Sequence, residues 1–195
     1  MKLILGSSSP YRKKLLQKLP VDFECFSPNI DETALQNESP EALVERLSIE
    51  KAIAVAEHFE DSLIISSDQI AIFKDEILGK PHSHERAVAM LSSFSGHTVR
   101  FETGLCLYNT NTKQHQYTSV PTLVHFRPLS EETIEQYLKT DQPYQCAGSF
   151  QAEGLGIVLF DMLESKDPNA LIGLPLIALN TMLLNEGFDV LCNQD

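Results

Sequence analysis

The chain has 195 residues, 43% of them hydrophobic, and its 27 acidic and 15 basic side chains give a formal net charge of −12 at pH 7. This acidity argues against a general nucleic-acid binder, because such a protein needs a basic surface to displace counterions. No apolar run approaches the roughly 18 to 20 residues of a membrane span, and most of the early bases follow the first apolar run, the reverse of a secretory signal. We therefore expect a globular protein of the cytoplasm that binds neither nucleic acid nor membranes.

The first half of the chain alternates between predicted strands and helices. In chain order the patterns predict a strand at 2–5, a helix at 10–18, a strand at 23–26, a helix at 40–59, strands at 63–65 and 70–73, and a helix at 83–93. Ser9-Pro10 and Ser39-Pro40 mark two of the helix starts, because serine caps a helix and proline suits its first position.

Strands cluster in the second half. The patterns predict a hairpin of strands at 99–108 and 114–126, a helix at 130–138, a buried strand at 154–160 and a helix at 174–184. This order of elements favours the α/β class with a mixed sheet. No linker or repeat separates independent domains, so we expect one domain over residues 1–195.

The first twenty residues form a basic segment in an otherwise acidic chain. They contain no acid and five bases, namely Lys2, Arg12, Lys13, Lys14 and Lys18. Within this segment Ser7-Ser8-Ser9-Pro10-Tyr11-Arg12 joins a predicted strand to a predicted helix, which brings free backbone N–H groups and hydroxyls together. Phosphate suits such a turn, and Arg12 can add a forked contact. A capped helix with a solvated basic face explains the same pattern.

Two charged residues fall inside apolar patterns. Asp68 lies between two apolar runs, where a strand turns polar, a usual location of ligand sites in open α/β sheets. Burying a carboxylate costs several kcal/mol unless it is paired or bound to a metal, although a turn aspartate is the simpler alternative. Lys51 falls on the apolar arc of the helix at 40–59, so it either reaches past the core to solvent or points into a cleft.

Two more charged residues lie in a turn and a loop. Lys80 lies in a Gly-Lys-Pro turn, and Glu32 lies in the polar loop at 27–39. The alternative at both positions is an ordinary solvated side chain. Together the candidates match what phosphoanhydride hydrolysis requires: cations for a polyphosphate, carboxylates for Mg²⁺ or Mn²⁺, and a base for water. The cations are Arg12, Lys51 and Lys80, and the carboxylates are Glu32 and Asp68.

A series of motifs, in order from residue 3 to about residue 184, resembles one protein family. The motifs are Leu3-Ile4-Leu5-Gly6-Ser7-Ser8-Ser9-Pro10-Tyr11-Arg12, Asp31-Glu32, Glu50-Lys51-Ala52, Ser67-Asp68-Gln69, Gly79-Lys80-Pro81, Thr103-Gly104-Leu105, Ala147-Gly148-Ser149-Phe150, Glu153-Gly154 and Gly173-Leu174-Pro175-Leu176. They look like those of the Maf family of nucleotide pyrophosphatases. The resemblance implies a mixed α/β fold with two lobes around a substrate cleft, similar to the inosine triphosphate pyrophosphatases. It also implies metal-dependent cleavage of nucleoside triphosphates to the monophosphate and pyrophosphate.

The resemblance also implies roles for the candidate residues. Asp68 would accept a proton from water, and Glu32 would bind the metal or the water, with Asp68 as a second metal ligand. The residues that would hold the triphosphate are Ser7 or Ser9, Arg12, Lys51 and Lys80. The sequence leaves the oligomeric state open, and a homodimer is one option.

Three positions separate subgroups of the resembled family, and here they hold Tyr11, Gln69 and Glu153. This combination resembles the subgroup that hydrolyses 7-methyl-GTP, although tryptophan is expected there in place of Tyr11. N7-methylation makes guanine cationic, so Tyr11 could stack on it and Glu153 could accept hydrogen bonds from N1–H and N2–H, with Gln69 at another base edge. Two alternatives stay open: a dTTP and UTP pyrophosphatase of the same family, and a nucleotide-binding regulator of cell division that needs no turnover.

Overall fold

The computed structural model describes residues 1–192, and this part of the chain divides into two compact units. The first unit comprises Met1–Gln69, Thr103–Val120 and the described residues from Asp167 onward, and the second unit comprises Ile70–Glu102 and Pro121–Lys166. The expectation of a single domain with a substrate cleft between two lobes stays a prediction.

Strands and helices together make an α/β fold. Within residues 1–192 the strands are β1 (Lys2–Leu5), β2 (Phe23–Cys25), β3 (Ser62–Phe73), β4 (Glu76–Leu78), β5 (Thr98–Asn109), β6 (Gln114–Phe126) and β7 (Phe160–Ser165). Over the same residues the helices are α1 (Pro10–Leu16), α2 (Pro40–Ala56), α3 (His84–Phe94), α4 (Glu131–Asp141) and α5 (Leu176–Asn185). None of these helices has the length and hydropathy that crossing a bilayer would take.

The sheet combines parallel and antiparallel pairs. Its order is β2-β1-β3-β5-β6-β7, with β4 paired to β3. β1 runs parallel to both β2 and β3, whereas β4 is antiparallel to β3 and β7 is antiparallel to β6. The predicted mixed α/β fold is therefore confirmed.

Serine side chains cap four of the helices. In α1 to α4 the capping hydroxyl accepts a hydrogen bond from the backbone N–H three residues further along, which satisfies one of the unpaired donors of the first turn. The four caps are Ser9, Ser39, Ser83 and Ser130. Proline follows the cap in α1 and α2, as the Ser-Pro pairs predict.

The core of the first unit lies on both faces of β1 and β3. Leu3 and Leu5 face the side that contains apolar residues of α1 and α5, and they pair in register with Leu63 and Ile65 of β3. Ile4 faces the opposite side, with Ala52 and Val55 of α2. A strand covered on both faces carries a continuous apolar run rather than an alternating one, which explains the Leu-Ile-Leu of β1.

The second unit has an aromatic core. Six phenylalanines contact one another with ring centroids 4.9 to 5.5 Å apart, mostly in edge-to-face geometry, which aromatic pairs prefer. They are Phe73, Phe94, Phe101, Phe126, Phe150 and Phe160.

Three predicted elements need correction. The buried strand at 154–160 is wrong: Leu155–Leu159 forms a largely exposed 3₁₀ turn, and the strand begins at Phe160. The chain curls there because the N–H groups of Gly154 and Gly156 both donate to the carbonyl of Gln151. The apolar runs at 63–65 and 70–73 belong to one continuous strand, β3, and the short strand β4 had no signal in the sequence.

Candidate active site

The serine turn after β1 offers hydrogen-bond donors. Ser7 is buried, and its Oγ accepts hydrogen bonds from the backbone N–H of Ser9 at 3.1 Å and from Arg12 Nη1 at 3.5 Å. Ser7 Oγ accepts both of these hydrogen bonds, so its own O–H group is still available as a donor. This O–H group has no acceptor within residues 1–192. Ser9 caps α1 through the Arg12 N–H, and Ser8 is exposed. Ser7 is therefore the serine best placed to donate to an anion.

Two nitrogens of the Arg12 guanidinium are bound, and the shorter hydrogen bond is made by Nε. Nε donates to the carbonyl of Gly173 at 2.8 Å, and Nη2 has no acceptor in the described part of the chain. Burial lowers the pKa of Arg12, while the negative charges of Asp68 and Glu32 act in the opposite direction. An arginine keeps its proton under such conditions, so the group stays cationic with free N–H donors. These charges also show that Arg12, Asp68 and Glu32 belong to one electrostatic cluster.

The carbonyl of Gly173 is the anchor for Arg12, a role that was not predicted. It also accepts a hydrogen bond from Ser67 Oγ of β3 at 2.8 Å. Gly173 has φ +118°, a conformation that favours glycine, and a Cβ there would lie 3.4 Å from Arg12 Nε. The following helix is held by Asp167, whose Oδ2 accepts from the N–H of Ile177 at 2.6 Å. The glycine of the Gly-Leu-Pro-Leu motif was the available signal.

Lys51 lies between two carboxylates. Its ammonium is 2.6 Å from Asp68 Oδ1 and 2.7 Å from Glu32 Oε1. Lys51 and Asp68 are both buried, at 7% exposure, whereas the Glu32 side chain is 61% exposed. Lys51 therefore does not reach past the core to solvent, which was one of the two outcomes that the apolar arc allowed. One ammonium with two carboxylates leaves a net negative charge beside Arg12, and the expectation that Lys51 holds phosphate stays a prediction.

A buried serine connects α2 to the backbone of Asp68. Ser48 Oγ donates to the carbonyl of Val44 at 2.7 Å and accepts from the N–H of Asp68 at 3.2 Å. Ser66 Oγ of β3 in turn donates to the Ser48 carbonyl at 2.5 Å. These hydrogen bonds hold the helix that contains Lys51 against the strand that contains Asp68, and so they position the two residues of the ion pair. Ser48 was not among the predicted site residues, although it is a small polar residue on the apolar face of the helix.

The carboxylate oxygens of Asp68 and Glu32 are suitable ligands for a hard divalent cation. The ion pairs with Lys51 use one oxygen each of Asp68 and Glu32, and the second oxygens accept no hydrogen bond within residues 1–192. No group of three or more His, Cys, Asp or Glu side chains suited to a metal occurs in that range. Mg²⁺ is commonly held by one or two carboxylates together with water and substrate phosphates. The carboxylates of Glu32 and Asp68 suit that mode of binding better than a site built from protein ligands alone.

Gln69 has a fixed orientation. Its Nε2 lies 2.9 Å from Thr103 Oγ1, 2.9 Å from the carbonyl of Ala170 and 3.0 Å from that of Leu171. Only the amide nitrogen can face two carbonyl oxygens, so the group that Gln69 has left for a ligand is Oε1, an acceptor. Tyr11, in the first turn of α1, is half-buried.

Two predicted site residues belong to the second unit. Lys80 is exposed and follows β4, and Glu153 is exposed two residues before the 3₁₀ turn at Leu155–Leu159. The first unit brings together Ser7, Arg12, Glu32, Lys51 and Asp68. The convergence of Lys80 and Glu153 with those residues stays a prediction.

The comparisons with known proteins agree in family. Residues 2–186 match the family described as Maf-like protein. A protein named 7-methyl-GTP pyrophosphatase from Colwellia psychrerythraea is 54% identical over 192 residues, which are 98% of this chain and 96% of that protein. Proteins of the same name from Pseudoalteromonas translucida and Nitrosococcus oceani are 52% and 51% identical, over 98% and 97% of this chain and 95% of each relative.

These matches test the resemblance that the motifs suggested. The family match covers nearly the whole chain, and the relatives share the name of a nucleotide pyrophosphatase, which is a hydrolase. The prediction of an enzyme of this class is confirmed, and the chain belongs to the Maf family.

Proposed function

We propose that this protein hydrolyses 7-methyl-GTP to 7-methyl-GMP and pyrophosphate in the cytoplasm, with a divalent cation such as Mg²⁺ or Mn²⁺. The observation that carries the proposal is the cluster of Asp68, Lys51 and Glu32 beside the donors of Ser7 and Arg12, in a chain whose relatives bear that name. The cluster offers a base and an anion site, which are two of the features that phosphoanhydride hydrolysis requires.

The triphosphate is held by donors that the fold leaves unpaired. The Ser7 hydroxyl hydrogen and the Arg12 Nη2 group meet no acceptor within residues 1–192. Phosphate oxygens accept hydrogen bonds from both groups. The hydrogen bond from Arg12 Nε to the Gly173 carbonyl keeps the guanidinium in place during the reaction. Lys80 supplies a further cation, and Ser9 is an additional hydroxyl in the same turn.

Asp68 acts as the base. It accepts a proton from a water molecule whose oxygen forms a bond to the α-phosphorus, while the bond from that phosphorus to the bridging oxygen breaks and pyrophosphate leaves with the electron pair. Lys51 holds Oδ1 of Asp68, so Oδ2 is the oxygen available for the proton. The charge that develops on the phosphate oxygens is stabilised by Arg12. Glu32 and Asp68 would hold the divalent cation, which supplies neutralisation of the phosphate charge when bound.

The preference for a methylated guanine rests on three side chains. The ring of Tyr11 gains roughly 0.5–2 kcal/mol from a cationic base that it would not gain from a neutral one. Glu153 accepts hydrogen bonds from N1–H and N2–H of guanine and balances the positive charge. Gln69 offers only its Oε1 to the base, because its amide nitrogen is bound to Ala170 and Leu171.

Replacing Asp68 by Asn tests the catalytic proposal. We expect pyrophosphate release from 7-methyl-GTP to fall by about 10³-fold, within the range that a general base contributes, while the dissociation constant of the nucleotide measured by calorimetry changes little. Asp22→Asn is the matched control, because Asp22 is an exposed aspartate of the same unit with no hydrogen bond or ion pair within residues 1–192. Turnover of Asp68→Asn at the wild-type rate would rule out Asp68 as the base.

A substrate panel tests the specificity. The protein is incubated with 7-methyl-GTP, GTP, dTTP and UTP, each with Mg²⁺ or Mn²⁺ and with EDTA, and pyrophosphate is measured. The proposal requires the fastest release from 7-methyl-GTP and none in EDTA. Preference for dTTP would contradict the roles of Tyr11 and Glu153, and absence of release from every nucleotide would indicate a regulatory binding protein instead.

A further inference from the structure

Glu32 stands in a loop that has little support of its own. The segment between β2 and α2 contains no helix or strand, and Asp31 to Asn37 are all exposed. Exposed loops of this kind are usually the most mobile part of a fold. A carboxylate that must meet a buried ammonium at 2.7 Å therefore requires a contact that holds the backbone around it.

Arg46 of α2 supplies that contact. Its Nε and Nη2 bind the two oxygens of Glu38 at 2.6 and 2.8 Å, which is a bidentate pair. Nη2 also donates to the carbonyl of Thr33, the residue after Glu32, at 3.1 Å. Nη1 donates to Glu50 Oε2 at 3.0 Å on the same helix, which fixes the plane of the guanidinium. The Glu38 and Arg46 side chains are only 7% and 19% exposed, so the pair is largely shielded from water.

The loop is thereby tied to α2 on both sides of its middle. Glu38 Oε2 accepts the N–H of Leu35 as well, and Asp31 Oδ1 accepts the N–H of Thr33, so the backbone from Asp31 to Glu38 forms one connected turn. Arg46 precedes Lys51 by five residues on the same helix. One helix therefore holds the loop backbone through Arg46 and the Glu32 carboxylate through Lys51.

We propose that Arg46 is a positioning residue for Glu32, holding the loop so that the Glu32 carboxylate stays beside Asp68 as a cation ligand. This inference rests on the role that the proposed function gives to Glu32. Arginine is required because a planar fork binds both oxygens of Glu38, the Thr33 carbonyl and Glu50 at once, whereas a lysine ammonium is a compact charge that cannot span them.

The test measures binding of Mn²⁺ alone to the intact protein, by the electron paramagnetic resonance signal of free Mn²⁺. We expect Arg46→Lys to weaken Mn²⁺ binding about tenfold, the effect usual for residues that orient a metal ligand. Glu32→Gln should weaken it at least as much, and the double variant should be no weaker than Glu32→Gln alone, because Arg46 acts through Glu32. Arg86→Lys is the matched control, since Arg86 is an exposed helix arginine whose side chain has no hydrogen bond or ion pair within residues 1–192.

The outcomes separate this inference from the proposed function. If Glu32→Gln weakens Mn²⁺ binding and Arg46→Lys leaves it unchanged, the positioning role is overturned and the proposed function stands. If Glu32→Gln binds Mn²⁺ as the wild type does, both the cation role of Glu32 and the role of Arg46 are wrong. If Arg46→Lys fails to fold, Glu38→Gln replaces it in the test, because this variant removes the negative charge that Arg46 binds. The same weakening of Mn²⁺ binding is then expected from Glu38→Gln.

Discussion

A single methyl group at Gly104 should disturb the packing of α2 on the sheet of the first unit. Gly104 lies in β5, and a Cβ built on it would be 2.5 Å from Ser48 Oγ, 2.6 Å from Val44 Cγ1 and 3.2 Å from Tyr117 Cε2. Two of these contacts are shorter than any that real side chains tolerate, and both are with α2. Gly104→Ala must therefore displace the Ser48 and Val44 side chains or the helix that carries them, which disturbs the hydrogen bond between Ser48 and Asp68.

The expected loss of stability follows from two opposing effects. Overpacking a tight core costs about 1–3 kcal/mol, and the short contacts place Gly104 toward the upper end. Alanine makes the unfolded chain less flexible than glycine does, which stabilises the folded protein by about 0.4–1 kcal/mol. We expect a net loss of about 2 kcal/mol in the free energy of unfolding, or a fall of about 4–8 °C in Tm for a chain of this size.

A double-mutant cycle with Val44 tests whether the contact with α2 is the cause. Val44 is fully buried, and Val44→Ala alone should cost about 2 kcal/mol through lost burial and a cavity. In the double variant the new methyl group fills part of that cavity, so the combined loss should be smaller than the sum by about 1 kcal/mol or more. Because the chain contains no tryptophan, unfolding in urea is followed by circular dichroism. Losses that add to within about 0.5 kcal/mol would refute the reasoning.

Two further predictions concern the supports of the site. Arg46 donates hydrogen bonds to Glu38 and holds its pKa at about 2, below the ordinary 4.5, so the stability that Glu38 contributes is complete above pH 4.5 and is lost as the pH falls toward 2. The stability difference between wild type and Glu38→Gln in acid titrations should shrink over that window, and a constant difference would contradict the ion pair. Ser67→Ala removes one of the two donors to the Gly173 carbonyl, which should cost about 1 kcal/mol of stability in urea and raise the KM for nucleotide by loosening Arg12. An unchanged KM would show that Arg12 needs no support from this carbonyl.

Local patterns in the sequence predicted most of the elements that build the first unit. The Ser-Pro pairs marked the starts of α1 and α2, because capping and the fixed φ of proline act within one turn. The apolar arc on α2 identified Lys51 as unusual but left its position open, and the structure shows that it is buried. The prediction of a strand at 154–160 was wrong because the N–H groups of Gly154 and Gly156 donate to the carbonyl of Gln151 and form a turn. An apolar run in the sequence does not reveal such hydrogen bonds.

The roles of the residues that support the site were not predicted from the sequence. Arg46 reads as an ordinary residue of α2, the small polar Ser48 does not reveal its partner, and Gly173 lies 161 residues after the arginine that it anchors. Their roles come from hydrogen bonds between segments distant in sequence, or across a loop with no periodic pattern. Only the folded chain makes these bonds, so only the structure could identify them.

The sequence by itself therefore determined the family, the α/β class and the identity of the charged residues, because motif order, capping and hydrophobic period are properties of the chain. The tertiary structure decided what those charges do to one another. It showed that Lys51 lies between Glu32 and Asp68, that Gly173 fixes Arg12 and that Arg46 holds the loop of Glu32. Such pairings depend on distances of 2.6 to 3.1 Å between residues brought together by packing, and that packing is a property of the whole fold.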